Sequence, residues 1–273
     1  MTINAARDRL IVLISSGSYH KYAQTLIASI SITNDISVCW VQLKDSPTTA
    51  QPSFEVKGQT SIVSLSLIGN TDKERRTFAA TCRFEVLRQV LRSNSRFETA
   101  LYVDSDSIVR GSLDELFEVF ERSNAPIGLR VRDEERHPFL SGVILIRRQL
   151  SESILDCLVS EVSNEGQEWG ADQDALKSCF ARNPGIRVHE LDPRHVGWDF
   201  RRSLVVWSAK GHSRRRQLEF ILESFVMRML DQLPRRISRI LLPFVQILTS
   251  AVSVLHVRER YFALRSRVSL ILR

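Results

Sequence analysis

Continuous apolar runs, separated by segments with helical spacing, are the feature that most constrains the fold of this chain. Residues 10–15 (LIVLIS) and 36–43 (ISVCWVQL) are apolar at nearly every position, and 61–68 is predicted as a third strand. Between them, 22–32 and 74–91 have the apolar spacing of helices. Strands that are apolar throughout are buried on both faces, as in a mostly parallel sheet covered by helices. The sequence therefore predicts an α/β/α sandwich.

The remaining pattern extends this sheet and separates the chain into a body and a tail. A fourth strand ends at Val103, and further strands are predicted at 127–131, 142–147 and 186–190. A length of 273 residues and a hydrophobic content of 43% are enough for a packed core. We predict an α/β domain over residues 1–212 and a basic helical tail over residues 213–273.

Charge is distributed unevenly between these two parts. From Lys210 onward there are 13 Lys and Arg against four Asp and Glu, a net charge of +9. The whole chain carries +7, so the first 209 residues carry −2. Such asymmetry indicates an anionic partner for the tail, either membrane lipid or nucleic acid.

The cysteines and the first nine residues of the chain indicate the cellular compartment of the protein. The four cysteines are scattered and form no C-x-x-C pair, which fits a reducing compartment with buried thiols. The first nine residues are polar, and the apolar stretch after them is too short for a signal peptide. We therefore expect a cytoplasmic protein.

Two carboxylates directly follow the fourth strand. Asp104 and Asp106 come after Val103, and residues two apart point the same way along a strand. Their mutual repulsion calls for a positive group between them, or for full solvation. In α/β sheets, ligands bind beyond the carboxyl ends of the strands, and a divalent cation prefers hard oxygen ligands. The pair is therefore a candidate site for Mn²⁺ or Mg²⁺ that would hold a diphosphate.

Several segments, in order from about residue 10 to residue 180, resemble the glycosyltransferases of family 8. They are IVLISSGSYHKYAQTLIASI, TCRFEVLRQVL, ALYVDSDSIVRGSLDELF, FLSGVILIRR and WGADQDALKSCF. The resemblance implies a Rossmann-like GT-A fold, a nucleotide-sugar donor (UDP-linked), a divalent metal and retention of anomeric configuration. It also implies a role in polysaccharide biosynthesis, with a glycan or lipid-linked acceptor.

The resemblance also implies roles for individual residues. For the donor these are Tyr19, Arg83, Asp104, Ser105, Asp106, Ser141, Gly142 and Lys210. Metal ligands would be Asp104, Asp106 and His212, and catalytic residues would be Asp172 and Gln173. The chain departs from the family pattern at Ser16, Ser18 and Leu140, and the late H-x-x-G-x-x-K motif has only WSAKGHSRRR as its nearest counterpart.

The residues alone leave structural roles open. Asp172 can be a helix N-cap, Arg83 a partner in a surface ion pair, and Tyr19 a half-buried loop aromatic. His212 can belong to the basic tail.

The tail predicts contact with a membrane surface. Residues 218–233 are amphipathic, and residues 240–257 contain no charged residue, with arginines on either side. A membrane span needs about 20 apolar residues. This run is shorter and only moderately apolar, so an interfacial anchor on anionic headgroups is expected, at the inner face of the membrane. The alternative is a helical cap that packs on the body or on a second subunit.

Two other functions remain open. One is a nucleotidyltransferase, which also places carboxylates at the edge of a nucleotide-binding sheet. The other is a non-catalytic protein that binds nucleic acid or membrane through its tail. No nucleic-acid partner is expected, because nucleic-acid binding through the tail leaves Asp104, Asp106 and Asp172 without a role.

Overall fold

A seven-stranded sheet forms the centre of the molecule. The computed structural model describes residues 8–45, 52–133, 136–164, 170–201, 203–209 and 211–251. The strands of this sheet are β1 (Arg9–Ser16), β2 (Ser37–Lys44), β3 (Thr60–Ser66), β4 (Thr99–Val103), β6 (Ile127–Val131), β7 (Phe139–Arg147) and β8 (Val188–Glu190). Their order is β3-β2-β1-β4-β7-β6-β8. Every strand except β7 runs in the same direction, because β7 pairs antiparallel with both β4 and β6. The predicted mostly parallel sheet is confirmed.

Helices cover both faces of this sheet. They are α1 (His20–Thr33), α2 (Asp72–Thr81), α3 (Arg83–Ser93), α4 (Asp114–Ser123), α5 (Arg148–Asn164) and α6 (Ala171–Arg182). Strand β1 shows why its run is apolar throughout: Leu10 and Val12 enter one core cluster, while Ile11 and Leu13 enter the cluster on the opposite face. Alternate side chains of one strand thus serve two cores.

The helix predicted over 74–91 is two helices in the structure. A capping box between Thr71 and Glu74 begins α2, and Cys82 separates α2 from α3. The prediction of one helix was wrong because this segment contains neither Gly nor Pro to mark the break. The break places Arg83 at the first position of α3, beside the end of β4.

A small second sheet lies after the D-x-D segment. It consists of β5 (Ser107–Val109), β9 (Val196–Gly197) and β10 (Val206–Ser208), in the order β5-β10-β9. Strand β10 pairs antiparallel with β5, so the segment around residue 208 lies beside Asp106. The backbone N–H of Ala209 donates to the carbonyl of Asp106 at 2.9 Å.

The described part of the tail packs on the body. It contains α7 (His212–Arg215), α8 (Leu218–Leu230) and α9, which is helical from 235 to 251, the last described residue. Phe220, Met227 and Leu230 of α8 join a buried cluster with Ile108 and Trp207. A buried ion pair links Arg110 to Glu223 of α8 at 3.0 Å. The domain boundary at 212/213 stays a prediction, as does the membrane anchor.

Among the described residues, no helix is long and apolar enough to cross a membrane. The part of the predicted apolar run from 252 to 257 lies outside the described residues.

Candidate active site

A cleft of about 690 Å³ lies at the carboxyl ends of β1 and β4. Its walls come from the loop after β1, from α2 and α3, from the D-x-D turn, and from the starts of α6 and α7. Predicted residues that line it are Tyr19, Arg83, Asp104, Ser105, Asp106, Asp172 and Gln173. Segments far apart in the chain therefore meet at one edge of the sheet, where α/β proteins bind ligands.

Asp104 is fixed by three elements. Its Oδ1 accepts from Arg83 Nη1 at 3.2 Å and from the Tyr102 hydroxyl at 2.9 Å. Its backbone N–H donates to the carbonyl of Gly142 in β7 at 2.8 Å. A Cβ added to Gly142 would lie 2.8 Å from Asp104 Oδ2, so only glycine leaves room for the carboxylate there.

Arg83 is a buried cation that joins the two acidic groups of the cleft. Its side chain is 5% exposed, and its Nη1 donates to the carbonyl of Ser141 at 2.5 Å. Its Nε lies 3.5 Å from Asp172 Oδ2. Burial opposes its charge, but the fields of Tyr102, Asp104 and Asp172 outweigh burial and raise the pKa of Arg83. The alternative of a surface ion pair for Arg83 is wrong.

Asp106 forms an ion pair with a second arginine, Arg215. Its Oδ2 lies 2.7 Å from Arg215 Nη1, which also donates to the Tyr19 hydroxyl at 2.6 Å. The Arg215 guanidinium stands over the Tyr19 ring, 4.7 Å from its centroid. Burial opposes the charge of Arg215, and the nearby Tyr19 and Asp106 raise its pKa. The repulsion expected within the D-x-D pair is thus offset by one arginine for each carboxylate.

Asp172 and Gln173 lie in the first turn of α6. The N-cap of this helix is Gly170, whose φ of +98° is the left-handed region that favours glycine. The N-cap alternative for Asp172 is therefore wrong. Asp172 is 3% exposed and accepts a short hydrogen bond from the Ser141 hydroxyl. Gln173 Oε1 is buried and makes no hydrogen bond to any described residue.

The other predicted residues take different places. Ser105 is buried in the turn and lines the cleft. Ser141 is fully buried and lies behind the cleft, where it holds Arg83 and Asp172. Gly142 lines a smaller neighbouring pocket. Lys210 and the side chain of His212 lie outside the described residues.

Two arginines of the cleft were not predicted from the sequence. Arg215 reaches the cleft because one turn of helix, α7, directs it inward, whereas the resemblance pointed to Lys210 for the donor. Arg76 is exposed on α2 and lines the same cleft. The RRR run at 214–216 was a signal for a cation, but it does not show which arginine points inward.

The chemistry of the D-x-D pair fits a divalent cation. Mg²⁺ is commonly bound through one or two carboxylates together with substrate phosphates and water. Asp104 and Asp106 supply hard oxygen donors at the same cleft, and Gly142 leaves space beside Asp104. Within the described ranges, no group of three or more His, Cys, Asp or Glu side chains could form a metal site by itself. Any cation held here would therefore need ligands beyond these two aspartates.

Solved structures of glycosyltransferases share this architecture. The chain superposes on the galactosyltransferase LgtC, solved with donor and acceptor sugar analogs, with a TM-score of 0.58 and 15% identity, covering 82% of this chain and 97% of LgtC. The chain has the GT-A fold. It also matches a glycosyltransferase involved in glycosylation of the major capsid of PBCV-1, with a TM-score of 0.53 and 15% identity, covering 81% of this chain and 98% of that one.

The GT-A likeness extends to a longer protein. The glycosyltransferase GlyE of Streptococcus pneumoniae TIGR4 matches with a TM-score of 0.55 and 15% identity over 85% of this chain, which spans only 63% of GlyE. No protein-family model and no curated protein sequence matches the chain. At this identity, the likeness establishes the GT-A fold, and the activity has to be inferred from the cleft.

Proposed function

We propose that this protein is a metal-dependent glycosyltransferase that transfers a sugar from a UDP-sugar to a glycan or glycolipid, with retention of configuration. The observation that carries the proposal is the cleft itself. In a GT-A fold, it brings together a D-x-D pair, an aromatic ring and an acidic helix start at the carboxyl edge of the sheet. Retention rests on the resemblance to family 8.

At the donor end, Tyr19 would stack on the base and the D-x-D turn would receive the diphosphate. Arg215 already covers one face of the Tyr19 ring, so the base would use the other face. Mn²⁺ or Mg²⁺ held by Asp104 and Asp106 would neutralise the charge that develops on the leaving diphosphate. Arg215 adds a second positive group at the same position, which is where such charge is stabilised.

At the sugar end, Gln173 and Asp172 are placed to contact hydroxyl groups. The buried Gln173 Oε1 has no hydrogen-bond partner among the described residues, so it can accept from a sugar hydroxyl without losing a protein bond. Asp172 is held by Ser141 and Arg83 from behind. We assign Ser141 a positioning role, because it is fully buried.

We also propose that the tail rests on an anionic membrane at the cytoplasmic face. Helices α8 and α9 present large apolar side chains to solvent, including Phe225 at 55% and Phe244 at 67% exposure. Arg228 and Arg236 lie on the same two helices. An apolar helical face with arginines is the pattern of an interfacial anchor. A membrane location would suit a lipid-linked acceptor.

The reaction products test the proposed function and separate it from nucleotidyl transfer. We expect the full chain, incubated with UDP-sugars and Mn²⁺, to release UDP by slow hydrolysis or by transfer to a glycan. A nucleotidyltransferase would instead release pyrophosphate from a nucleoside triphosphate. Chromatography of the nucleotide products distinguishes the two outcomes. Failure to release UDP from a panel of UDP-sugars, with pyrophosphate released from UTP, would contradict the proposal.

A further inference from the structure

A second pocket of about 150 Å³ lies beside the cleft. It is formed where the end of β6 and the start of β7 meet residues from 193–201 and Leu204. This edge of the sheet is also the one that carries the D-x-D turn. The volume is below that of pockets for drug-sized ligands, so it suits a single sugar residue.

The charge of this pocket is positive. Arg130, Arg132 and Arg201 line it together with one acidic side chain, Asp199, and Arg130 also lies 3.6 Å from the carboxylate of Glu190, which is 63% exposed. Asp199 is 78% exposed and lies 3.8 Å from Arg214, which reduces its effect inside the pocket. Arginine is the residue best suited to carboxylate and phosphate groups, because its planar fork donates two parallel hydrogen bonds.

An aromatic ring stands in the same wall. Trp198 is half-buried and lines the pocket, with the Arg132 guanidinium 5.0 Å from its ring centroid. The carbonyl of Trp198 accepts from the Trp207 indole at 3.0 Å, and Trp207 is fully buried, so the backbone at Trp198 is fixed. The Arg214 guanidinium lies 5.6 Å from the centroid of the same ring, so this wall combines aromatic surface with two flanking cations, which suits a sugar that carries an anionic substituent.

Gly142 joins the pocket to the cleft. It lines the smaller pocket, and its Cα hydrogen faces Asp104, since a Cβ there would lie 2.8 Å from the carboxylate. Only Gly142 therefore separates a group bound in this pocket from Asp104 of the D-x-D turn. An acceptor has to reach the carbon that carries the diphosphate, and this pocket adjoins the proposed diphosphate site through Gly142.

The tail holds one wall of this pocket in place. The carbonyl of Arg201 accepts from Arg110 Nη1 at 2.7 Å, and Arg110 is paired with Glu223 of α8. The Arg110 guanidinium also stands over the Phe200 ring, 4.9 Å from its centroid. The position of the Arg201 segment is thus set by buried contacts.

We infer that this pocket is the acceptor subsite and that it selects a sugar carrying an anionic group, a carboxylate or a phosphate. The inference rests on the proposed function, because an acceptor exists only for a transferase. A carboxylate would come from a uronic acid and a phosphate from a phosphorylated sugar.

Three small probes test this selectivity by ligand-observed NMR titration of the full chain with UDP and the diamagnetic cation Mg²⁺ present. They are methyl β-glucuronide, glucose 6-phosphate and the neutral methyl β-glucoside. We expect at least one anionic probe to bind at least tenfold more tightly than the neutral one, and the better probe identifies the anion. Arg201→Glu should weaken its binding at least tenfold. Arg122→Glu is the matched control, because Arg122 is 69% exposed on α4, outside both pockets.

Equal binding of the neutral and anionic probes, no binding of either anionic probe, or an unchanged affinity in Arg201→Glu would overturn the inference. UDP binding to the unaltered protein, measured in the same experiment, tests the proposed function separately. Loss of UDP binding with selective anion binding retained would contradict the transferase and not the anionic pocket.

Discussion

At the scale of single residues, the cleft is organised by two arginines that differ in burial. Arg83 is enclosed and bridges Asp104 to Asp172, while Arg215 is at the edge and bridges Asp106 to Tyr19. Arg83 holds the acidic groups in position, and we propose that Arg215 exchanges its partner for a ligand phosphate. This difference leads to distinct expectations for stability and for binding.

Replacing Arg83 should destabilise the fold. Arg83→Met leaves Asp104 and Asp172 buried without their cation, and breaking a buried pair costs about 3–5 kcal/mol. Arg92→Met on the same helix is the matched control. The Arg92 side chain is 45% exposed, so the loss of its ion pairs should lower the free energy of unfolding by about 0–1 kcal/mol. Urea unfolding followed by circular dichroism measures both, and similar losses in the two variants would contradict the role given to Arg83.

Removing the Tyr19 ring should weaken nucleotide binding with little effect on folding. Stacking on an aromatic side chain contributes about 1–3 kcal/mol per base. Tyr19→Ala should therefore raise the dissociation constant for UDP roughly tenfold or more. Tyr19→Phe keeps the ring and loses only the hydroxyl that accepts from Arg215. Calorimetric titration compares the three proteins, and an unchanged constant in Tyr19→Ala would make Tyr19 a structural residue.

At the scale of elements, the sequence predicted the positions of strands better than it predicted helix breaks or the direction in which strands pair. Runs such as 10–15 are apolar at nearly every position because the sheet is covered on both faces. The break at Cys82 places Arg83 against Asp104, a tertiary contact that the local sequence does not reveal. The antiparallel direction of β7 depends on chain reversal through the segment after β6, which an apolar run cannot reveal.

The sequence likewise predicted only part of the candidate site. The D-x-D pair and the start of α6 follow from where strands and helices end. The position of Arg215 depends on how the tail folds back on the body, so it could not be read from the RRR run. Helix α8 is apolar on two faces, and the sequence alone does not show that Phe220 is buried while Phe225 is exposed.

Helix α8 should be required for the stability of the body. Glu223→Gln removes the charge that compensates Arg110, and both side chains are almost completely buried. Burial raises the pKa of Glu223 and the Arg110 guanidinium opposes that rise, so the pair balances desolvation against attraction. We expect a loss of about 3–5 kcal/mol on breaking it.

The control for Glu223 is an exposed pair on another helix. Glu118→Gln affects a carboxylate that is 54% exposed beside Arg122, where the loss should be about 0–1 kcal/mol. Chemical denaturation measures both variants. A Glu223→Gln protein as stable as Glu118→Gln would mean that α8 is not a structural part of the body.

At the scale of the whole molecule, the exposed apolar face of the tail predicts binding to anionic membranes. We expect the full chain to float with vesicles containing phosphatidylglycerol at low salt, and to float less at high salt because surface charges are screened. The double variant Phe225→Glu with Phe244→Glu should lose this binding.

Ile68→Glu is the control for the membrane experiment, because Ile68 is also exposed, at 59%, but lies near the end of β3. It should float like the unaltered protein. An unaltered protein that stays unbound at low salt, or a double variant that still floats, would leave the apolar face to a second subunit or another protein.

The proposed function depends on the D-x-D pair binding a nucleoside diphosphate through a divalent cation. Calorimetric titration of UDP into the full chain, with Mn²⁺ or with chelator, tests it most directly, together with Asp104→Asn and Asp106→Asn. We expect UDP to bind only with Mn²⁺ and its binding to be lost in both variants, whose thermal unfolding should still be cooperative. UDP binding of equal affinity in chelator, or binding that survives both substitutions, would contradict it.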